Sequence, residues 1–254
     1  MIDIHCHILP GVDDGPETKE ESIQMAKEAV KSGIRTIIAT PHHRNSRFDN
    51  LKQEIKEKVS ELNGVLMNEQ IPLLILPGQE NRIYGELLED YEKDEILPLS
   101  ESQYLFIELP SDHVPGYTER LLYDIQLRGL IPIIVHPERN REIMERPEIL
   151  YQFVKKGTLT QVTAASICGY FGKQIKHFSN QLIEANLTHF IASDAHNITT
   201  RSFKLAEAYD NIESNYGVDV VYLFTENAEL LVSNQNIYKE IPNMIKKKKF
   251  FGIF

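Results

Sequence analysis

Cysteine is scarce: Cys6 and Cys168 are the only two in 254 residues, too few for a disulfide framework. Pairing them would tie the opening segment to one far along the chain, so both thiols are expected to stay reduced. No apolar run approaches the roughly 18 to 20 residues that a membrane helix needs. The start, Met1-Ile2-Asp3-Ile4-His5, lacks the basic residues, apolar stretch and small-residue cleavage site of a secretory signal, which makes the cytoplasm the expected compartment. Positive charge is short as well. A formal net charge of -10 leaves no basic footprint for a nucleic acid bound over the whole surface. It does not exclude phosphate chemistry, because bound divalent ions can invert the local field. Repeats, low-complexity stretches and linkers are missing too, and the length suits one α/β domain over 1–254.

What is present is alternation. Short β-branched apolar runs at 2–7, 34–39, 73–76, 104–109, 132–135, 159–163 and 190–192 are separated by stretches of helical periodicity at 19–31, 49–68, 84–90, 117–128, 147–156, 172–186 and 202–216. Strands this apolar fit a parallel sheet buried on both faces, and the even alternation favours a closed barrel.

His5-Cys6-His7 ends the first run. Strand side chains alternate, so both imidazoles point to one face as a two-ligand clamp, and Cys6 points to the other as a packing residue. Asp14 lies in Gly11-Val12-Asp13-Asp14-Gly15, where the loop leaves Asp13 as an alternative. His42 and His43 follow the second run, and Glu80 follows the third through Pro77-Gly78-Gln79. Glu108 closes Leu105-Phe106-Ile107, His136 follows Val135, and Asp194 and His196 follow Ala192. In a parallel barrel these strand ends meet on one rim, where barrel active sites are built. Imidazole nitrogen and carboxylate oxygen converging there predict a metal site suited to manganese, iron or zinc.

These pieces carry a resemblance. His5-Cys6-His7, Thr40-Pro41-His42-His43, Gly78-Gln79-Glu80, Val135-His136-Pro137 and Ser193-Asp194-Ala195-His196 resemble the polymerase and histidinol phosphatase (PHP) superfamily. Leu9-Pro10-Gly11-Val12-Asp13-Asp14-Gly15-Pro16 and His136-Pro137-Glu138-Arg139-Asn140 look like its manganese-dependent protein-tyrosine phosphatases of bacterial capsule and exopolysaccharide clusters, and the likeness runs from Met1 to about Val232. The resemblance implies a distorted (β/α)7 TIM-like barrel of PHP type and three divalent ions. His5, His7, Glu80 and Asp194 would hold the first, Glu80, Glu108 and His136 the second, and Asp14, His42 and His196 the third. Where relatives carry histidine at the positions of Asp14 or Glu108, this site is the more anionic. His43 is a candidate for orienting a ligand.

The implied reaction is hydrolysis of phosphotyrosine on a protein, such as a bacterial tyrosine kinase, by a hydroxide formed on metal at neutral pH. Arg139 and Arg201, just beyond His136 and His196, are the candidates for neutralising the phosphate. A cysteine-dependent phosphatase needs an arginine six positions after its cysteine, where this chain has Val12 and Gln174. A small-molecule phosphomonoesterase, such as a histidinol phosphatase, and a non-catalytic metal-stabilised scaffold remain as alternatives. At 241–254, four lysines at 246–249 precede Phe250, Phe251, Ile253 and Phe254, a composition that suits anionic lipid as well as a solvated tail.

Overall fold

The computed structural model describes residues 1–245. Its strands are β1 (Ile2–Cys6), β2 (Thr36–Ala39), β3 (His42–His43), β4 (Leu74–Pro77), β5 (Glu80–Arg82), β6 (Tyr104–Glu108), β7 (Ile131–Val135), β8 (Leu159–Thr163) and β9 (Phe190–Ala192). Between and after them run α1 (Lys19–Lys31), α2 (Lys52–Asn68), α3 (Leu87–Glu92), α4 (Thr118–Leu127), α5 (Arg141–Glu145), α6 (Glu148–Lys155), α7 (Ala164–Cys168), α8 (Lys173–Glu184), α9 (Leu205–Tyr216) and α10 (Val218–Val232). All strand pairs are parallel, in a three-stranded sheet β1-β2-β4 and a six-stranded sheet β3-β5-β6-β7-β8-β9.

The expected single ring of seven strands is thus met as two sheets, because two runs break and resume. Pro41, which has no N–H to donate, separates β2 from β3, although Glu80 N–H still donates to the Pro41 carbonyl at 3.0 Å. Gly78 separates β4 from β5 where a Cβ would meet Ile38 Cγ2 at 2.6 Å. At the far edge, β1 approaches the segment after β9: Asp194 N–H donates to the His5 carbonyl and His7 N–H to the Ala195 carbonyl, both at 2.9 Å.

Alternation along the strands feeds two cores. Ile37, Leu105, Ile107, Ile134, Val162 and Ile191 pack outward under the helices. Ile38, Phe106, Ile133, Val135, Leu159 and Phe190 pack on the opposite face with Ala228 and Leu231 of α10. The sequence pattern did not disclose α10. It covers the N-terminal strand ends, where Tyr104 Oη donates to the Gln235 carbonyl at 2.6 Å and Asn227 Nδ2 to the His189 carbonyl at 3.1 Å. Local signals hold elsewhere: Thr18 caps α1 in a reciprocal box with Glu21. Cys6 is buried, Cys168 partly so, and both are free. Among the described residues no helix is long and apolar enough to cross a membrane. The lysine block and the aromatics at 246–254 lie outside the described residues; just before them Ile241 and Met244 are exposed.

His189, beside β9, is buried and accepts from Thr160 N–H at 3.1 Å through Nδ1. Burial, assisted by Lys239, lowers its pKa from 6.5 to about 3. The folded state therefore favours the neutral ring: its contribution to stability is complete above the unfolded value near 6.5 and is lost as pH falls from there towards 3. The loss approaches about 1.4 kcal/mol per pH unit in that window. His189→Gln keeps an acceptor but cannot take up a proton. Denaturant melts at pH 7 and pH 4.5 are expected to show a smaller acid destabilisation in His189→Gln than in the wild type; equal losses would contradict the assignment.

Candidate metal centre

The strand ends opposite α10 carry the polar residues. His5 and His7 are both buried, and each ring is fixed through Nδ1. Gln161 Oε1 on β8 accepts from His5 Nδ1 at 2.8 Å, and Asp13 Oδ2 accepts from His7 Nδ1 at 2.6 Å. Oxygen acceptors at Nδ1 place the proton there and leave both Nε2 lone pairs facing the centre. Asp13 also accepts from Gly15 N–H at 2.9 Å and from His42 N–H at 3.2 Å. Asp13 therefore orients, and its neighbour Asp14 faces inward, with Oδ1 3.4 Å from His42 Nε2 and 3.1 Å from His196 Nε2.

Glu80 lies at the middle. Its Oε1 is 2.9 Å from His136 Nε2, while Oε2 is 2.8 Å from His42 Nδ1, 3.3 Å from His7 Nε2 and 3.5 Å from His5 Nε2. Asp194 Oδ1 is 3.6 Å from the Nε2 atoms of His5 and His7, and Glu108 Oε2 is 3.8 Å from His42 Nδ1. Three sets bring ligand atoms within 4.8 Å of one another: His7, Asp14, His42 and His196; His5, His7 and Glu80; and His42, Glu80 and Glu108. This overlaps the grouping implied by the resemblance, but His7 and His42 are shared between sets, while Asp194 and His136 stand at the margins.

Four atoms in these sets, His42 Nδ1, Glu80 Oε2, Glu108 Oε2 and His196 Nε2, are buried without a hydrogen-bond partner. Buried polar atoms are ordinarily paired. Orphans of this chemistry turned towards one another suit a cation, and the nitrogen and oxygen donor set suits a divalent one. Charge gives the same result. Burial alone would depress His7, yet Asp13 lifts it to about 9; burial is likewise outweighed at His42, where Glu80 and Asp14 raise it to about 11. Burial and then the Glu80 charge push the Glu108 carboxyl up to about 7. Protons are drawn to the surplus negative charge that a metal would satisfy, so metal uptake here would release them. His136 and His196 are already poised as neutral donors: burial, then Arg139 and His7 respectively, lowers each to about 4.

Arg139 donates to Asp194 Oδ2 at 2.6 Å, and Arg201 reaches Asp194 at 3.3 Å and Asp14 Oδ2 at 3.2 Å. Both line a cavity of about 310 Å3 with Asp14, His42, Glu80, Glu108, His136 and Asp194. The nine candidate ligands and both candidate arginines thus come to this one place, whereas His43 is buried beside Asp49 at 2.9 Å. Sequence reasoning missed the orienting part of Gln161 and of Asp3, whose oxygens accept from Ser193 N–H at 2.9 Å and Ser193 Oγ at 2.5 Å. Their signal was a lone glutamine or carboxylate inside an apolar strand. It also missed Arg82, 2.9 Å from Glu108 Oε1.

The family described as capsular polysaccharide synthesis, CpsB/CapC, matches residues 1–233. The chain belongs to this family. Tyrosine-protein phosphatase YwqE of Bacillus subtilis is 54% identical over 254 residues, covering 100% of both chains. Putative tyrosine-protein phosphatase CapC of Staphylococcus aureus is 40% identical over 254 residues, again 100% of both. A solved structure from work on YwqE and on CpsB of Streptococcus pneumoniae, called there unique metal-dependent tyrosine phosphatases, superposes with a TM-score of 0.95 at 53% identity, over 97% of this chain and 100% of that one. The family carries the tyrosine-phosphatase resemblance read from the motifs.

If Asp13 and Gln161 aim their histidines, removing either partner should loosen metal binding while the fold persists. Asp13→Ala and Gln161→Leu are each expected to weaken affinity about 10- to 100-fold in a competition titration against a chelator. Unchanged affinity in both variants would show that the two histidines orient themselves.

Proposed function

We propose that the chain is a metal-dependent protein-tyrosine phosphatase of the cytoplasm whose substrate is a phosphotyrosyl protein, a bacterial tyrosine kinase of capsule or exopolysaccharide synthesis. The observation that carries this reading is the convergence of buried histidines and carboxylates, four of their atoms orphaned, beside two arginines in one cavity. The full-length likeness to YwqE supports the substrate class. The two sheets are read as one distorted (β/α)7 barrel of PHP type within a single catalytic domain, with β2–β3 and β4–β5 each a broken strand and the β1–β9 contacts as its seam. The basic-aromatic stretch at 246–254 suits peripheral contact with an anionic membrane.

The donors fit three divalent ions as the resemblance assigns them: His5, His7, Glu80 and Asp194; Glu80, Glu108 and His136; Asp14, His42 and His196. Manganese is the preferred metal, with iron and zinc compatible. Such ions supply Lewis acidity and lower the pKa of water from 15.7 to about 7. The protein's own groups do the rest. Asp13 and Gln161 hold the His7 and His5 rings in the productive tautomer. Glu80 turns its two oxygens to different neighbours, which suits it to bridging. Arg139 and Arg201 line the cavity with planar donor forks that match phosphate oxygens, and each guanidinium carries more N–H groups than its Asp194 contact uses. The tyrosine phenol, with a pKa near 10, leaves more readily than an alkyl alcohol.

Phosphate release from a phosphotyrosyl peptide, with and without added manganese and alongside histidinol phosphate, tests the reading. Chelation should abolish release and lower the melting temperature, since the repulsion among the carboxylates is then offset only by the imidazoles and arginines around them, and restored metal should recover both. A chelated protein with full turnover would sink the metal assignment. Arg139→Ala should cut turnover roughly 100- to 1000-fold with metal content intact, in line with the loss of one preorganised donor. Arg139→Lys should recover only part of this, because a point charge lacks the two-pronged geometry. Near-normal turnover in Arg139→Ala would leave Arg201 as the phosphate-binding group.

A further inference from the structure

Between β3 and α2 the chain makes a short excursion, Arg44-Asn45-Ser46-Arg47-Phe48-Asp49-Asn50, that the metal chemistry does not use. It is tied at both ends. Arg44, in the left-handed region at φ 53°, swings back to Asp90 at 2.9 Å and Asp49 at 3.3 Å, and its guanidinium lies 5.6 Å from the Tyr84 ring. At the other end Asn50 Nδ2 donates to the carbonyls of His42 at 2.8 Å and Val12 at 3.0 Å, while Gln79 Nε2 donates to the Asn50 carbonyl at 2.6 Å. The tip closes through Phe48 N–H donating to the Asn45 carbonyl at 3.0 Å.

This bracing carries one aromatic ring to the metal centre. Phe48 is half-buried, and its ring lies parallel to that of His42, 9° between planes and 6.2 Å between centroids. His42 in turn lines the cavity with both arginines. The other walls of that cavity are Leu109, Pro110, Ser111, Val135, Pro137 and Asn140, none of them aromatic. A phosphate anchored at the arginines must carry its ester group out past the rim. Phe48 does not itself line the cavity, but its half-buried ring stands beside His42, which does, and is held there by a braced loop, so that an aryl group could pack on it at little entropic cost. Arg47, exposed at the same tip, makes no ion pair among the described residues.

We infer that Phe48 is a specificity-determining residue: the wall on which the aryl group of the phosphoester substrate packs, selecting phosphotyrosine over alkyl phosphoesters. The inference rests on the phosphatase reading above and adds the residue that chooses the substrate class. An aromatic contact formed equally in the bound and transition states raises affinity and leaves the chemical step alone, so its loss should appear in KM.

The test is steady-state kinetics of the metal-loaded full-length protein on a phosphotyrosyl peptide and on the same peptide with phosphoserine, for the wild type, Phe48→Ala, Phe48→Leu and Phe48→Tyr, with metal content measured for each. The ratio of kcat/KM for the aryl ester to that for the alkyl ester is expected to fall roughly 3- to 10-fold in Phe48→Ala, through KM, to fall less in Phe48→Leu, and to be restored in Phe48→Tyr. A ratio unchanged in Phe48→Ala and Phe48→Leu overturns the inference, as does a loss equal for both substrates, which would make Phe48 a support for His42. If Phe48→Ala does not fold, Phe48→Leu against Phe48→Tyr decides by the same ratio. Wild-type protein that releases phosphate from neither peptide would overturn the phosphatase reading, and the aryl wall with it.

Discussion

Mutual repulsion among Asp14, Glu80, Glu108 and Asp194 is the constraint around which the functional end of the molecule is organised. Two unit charges 4 Å apart repel by about 4 kcal/mol at the effective dielectric near a protein surface, a large fraction of a domain's whole stability. Glu80 is fully buried, so water screens it poorly. The fold answers with imidazoles on every side and with Arg139, Arg201 and Arg82 on the outer oxygens. It also bends the backbone to do so. His136, directly after β7, and Asp194, two residues past the end of β9, both sit in the left-handed region, at φ 37° and 53°. Strain of that kind persists only where the surroundings over-determine it, and here the surroundings are the centre itself.

The two ends of the strands divide the labour. At one end α10 closes the inner apolar face, where Phe106, Ile133 and Phe190 pack with Ala228 and Leu231. At the other the same inner face turns polar within a residue or two. Arg139 shows how such a border is held. Its neighbour Glu138 is buried and accepts from Thr163 N–H at 3.0 Å and Ser166 Oγ at 2.7 Å, while Asn140 caps α5 and donates to the Pro110 carbonyl at 2.6 Å. Phe171 lies 5.5 Å from the guanidinium. The arginine is held between residues that face different elements.

Much of this was legible in the sequence because strand alternation is a rule of two, and His5 with His7 follows it. Strand ends are also marked: Pro41, Gly78 and Pro137 each stand next to, or within two residues of, a residue of the centre. What could not be read was anything that depends on an approach across the fold. Gln161 meets His5 only because β8 and β1 face the same interior, and no spacing predicts that. Asp13 and Asp14 are identical in local context; only the direction of the loop makes one an orienter and the other part of the centre. The breaks at Pro41 and Gly78 were visible as residues, but that each moves half a strand into a different sheet was not, nor that Gly78 is closely packed by Ile38 and Leu99. The helix α10 opens with Val218, Val220 and Val221, which weakens its helical signal, and it forms because it has an apolar face to cover.

The order in which the polar residues occur along the chain spans nearly its whole length, from His5 on the first strand to His196 beyond the ninth. During synthesis, the chain would expose His5, His7, Asp14, His42 and Glu80 long before Asp194 and His196 have been made. An early complex could therefore only be a partial one, and the seam between β1 and the segment after β9, formed by His5, His7, Asp194 and Ala195 backbone groups, closes late. Under the proposed metal assignment, a full complement of ions could be held only after β1 and the segment following β9 have met, which ties metal capture to the joining of the chain's two distant strands.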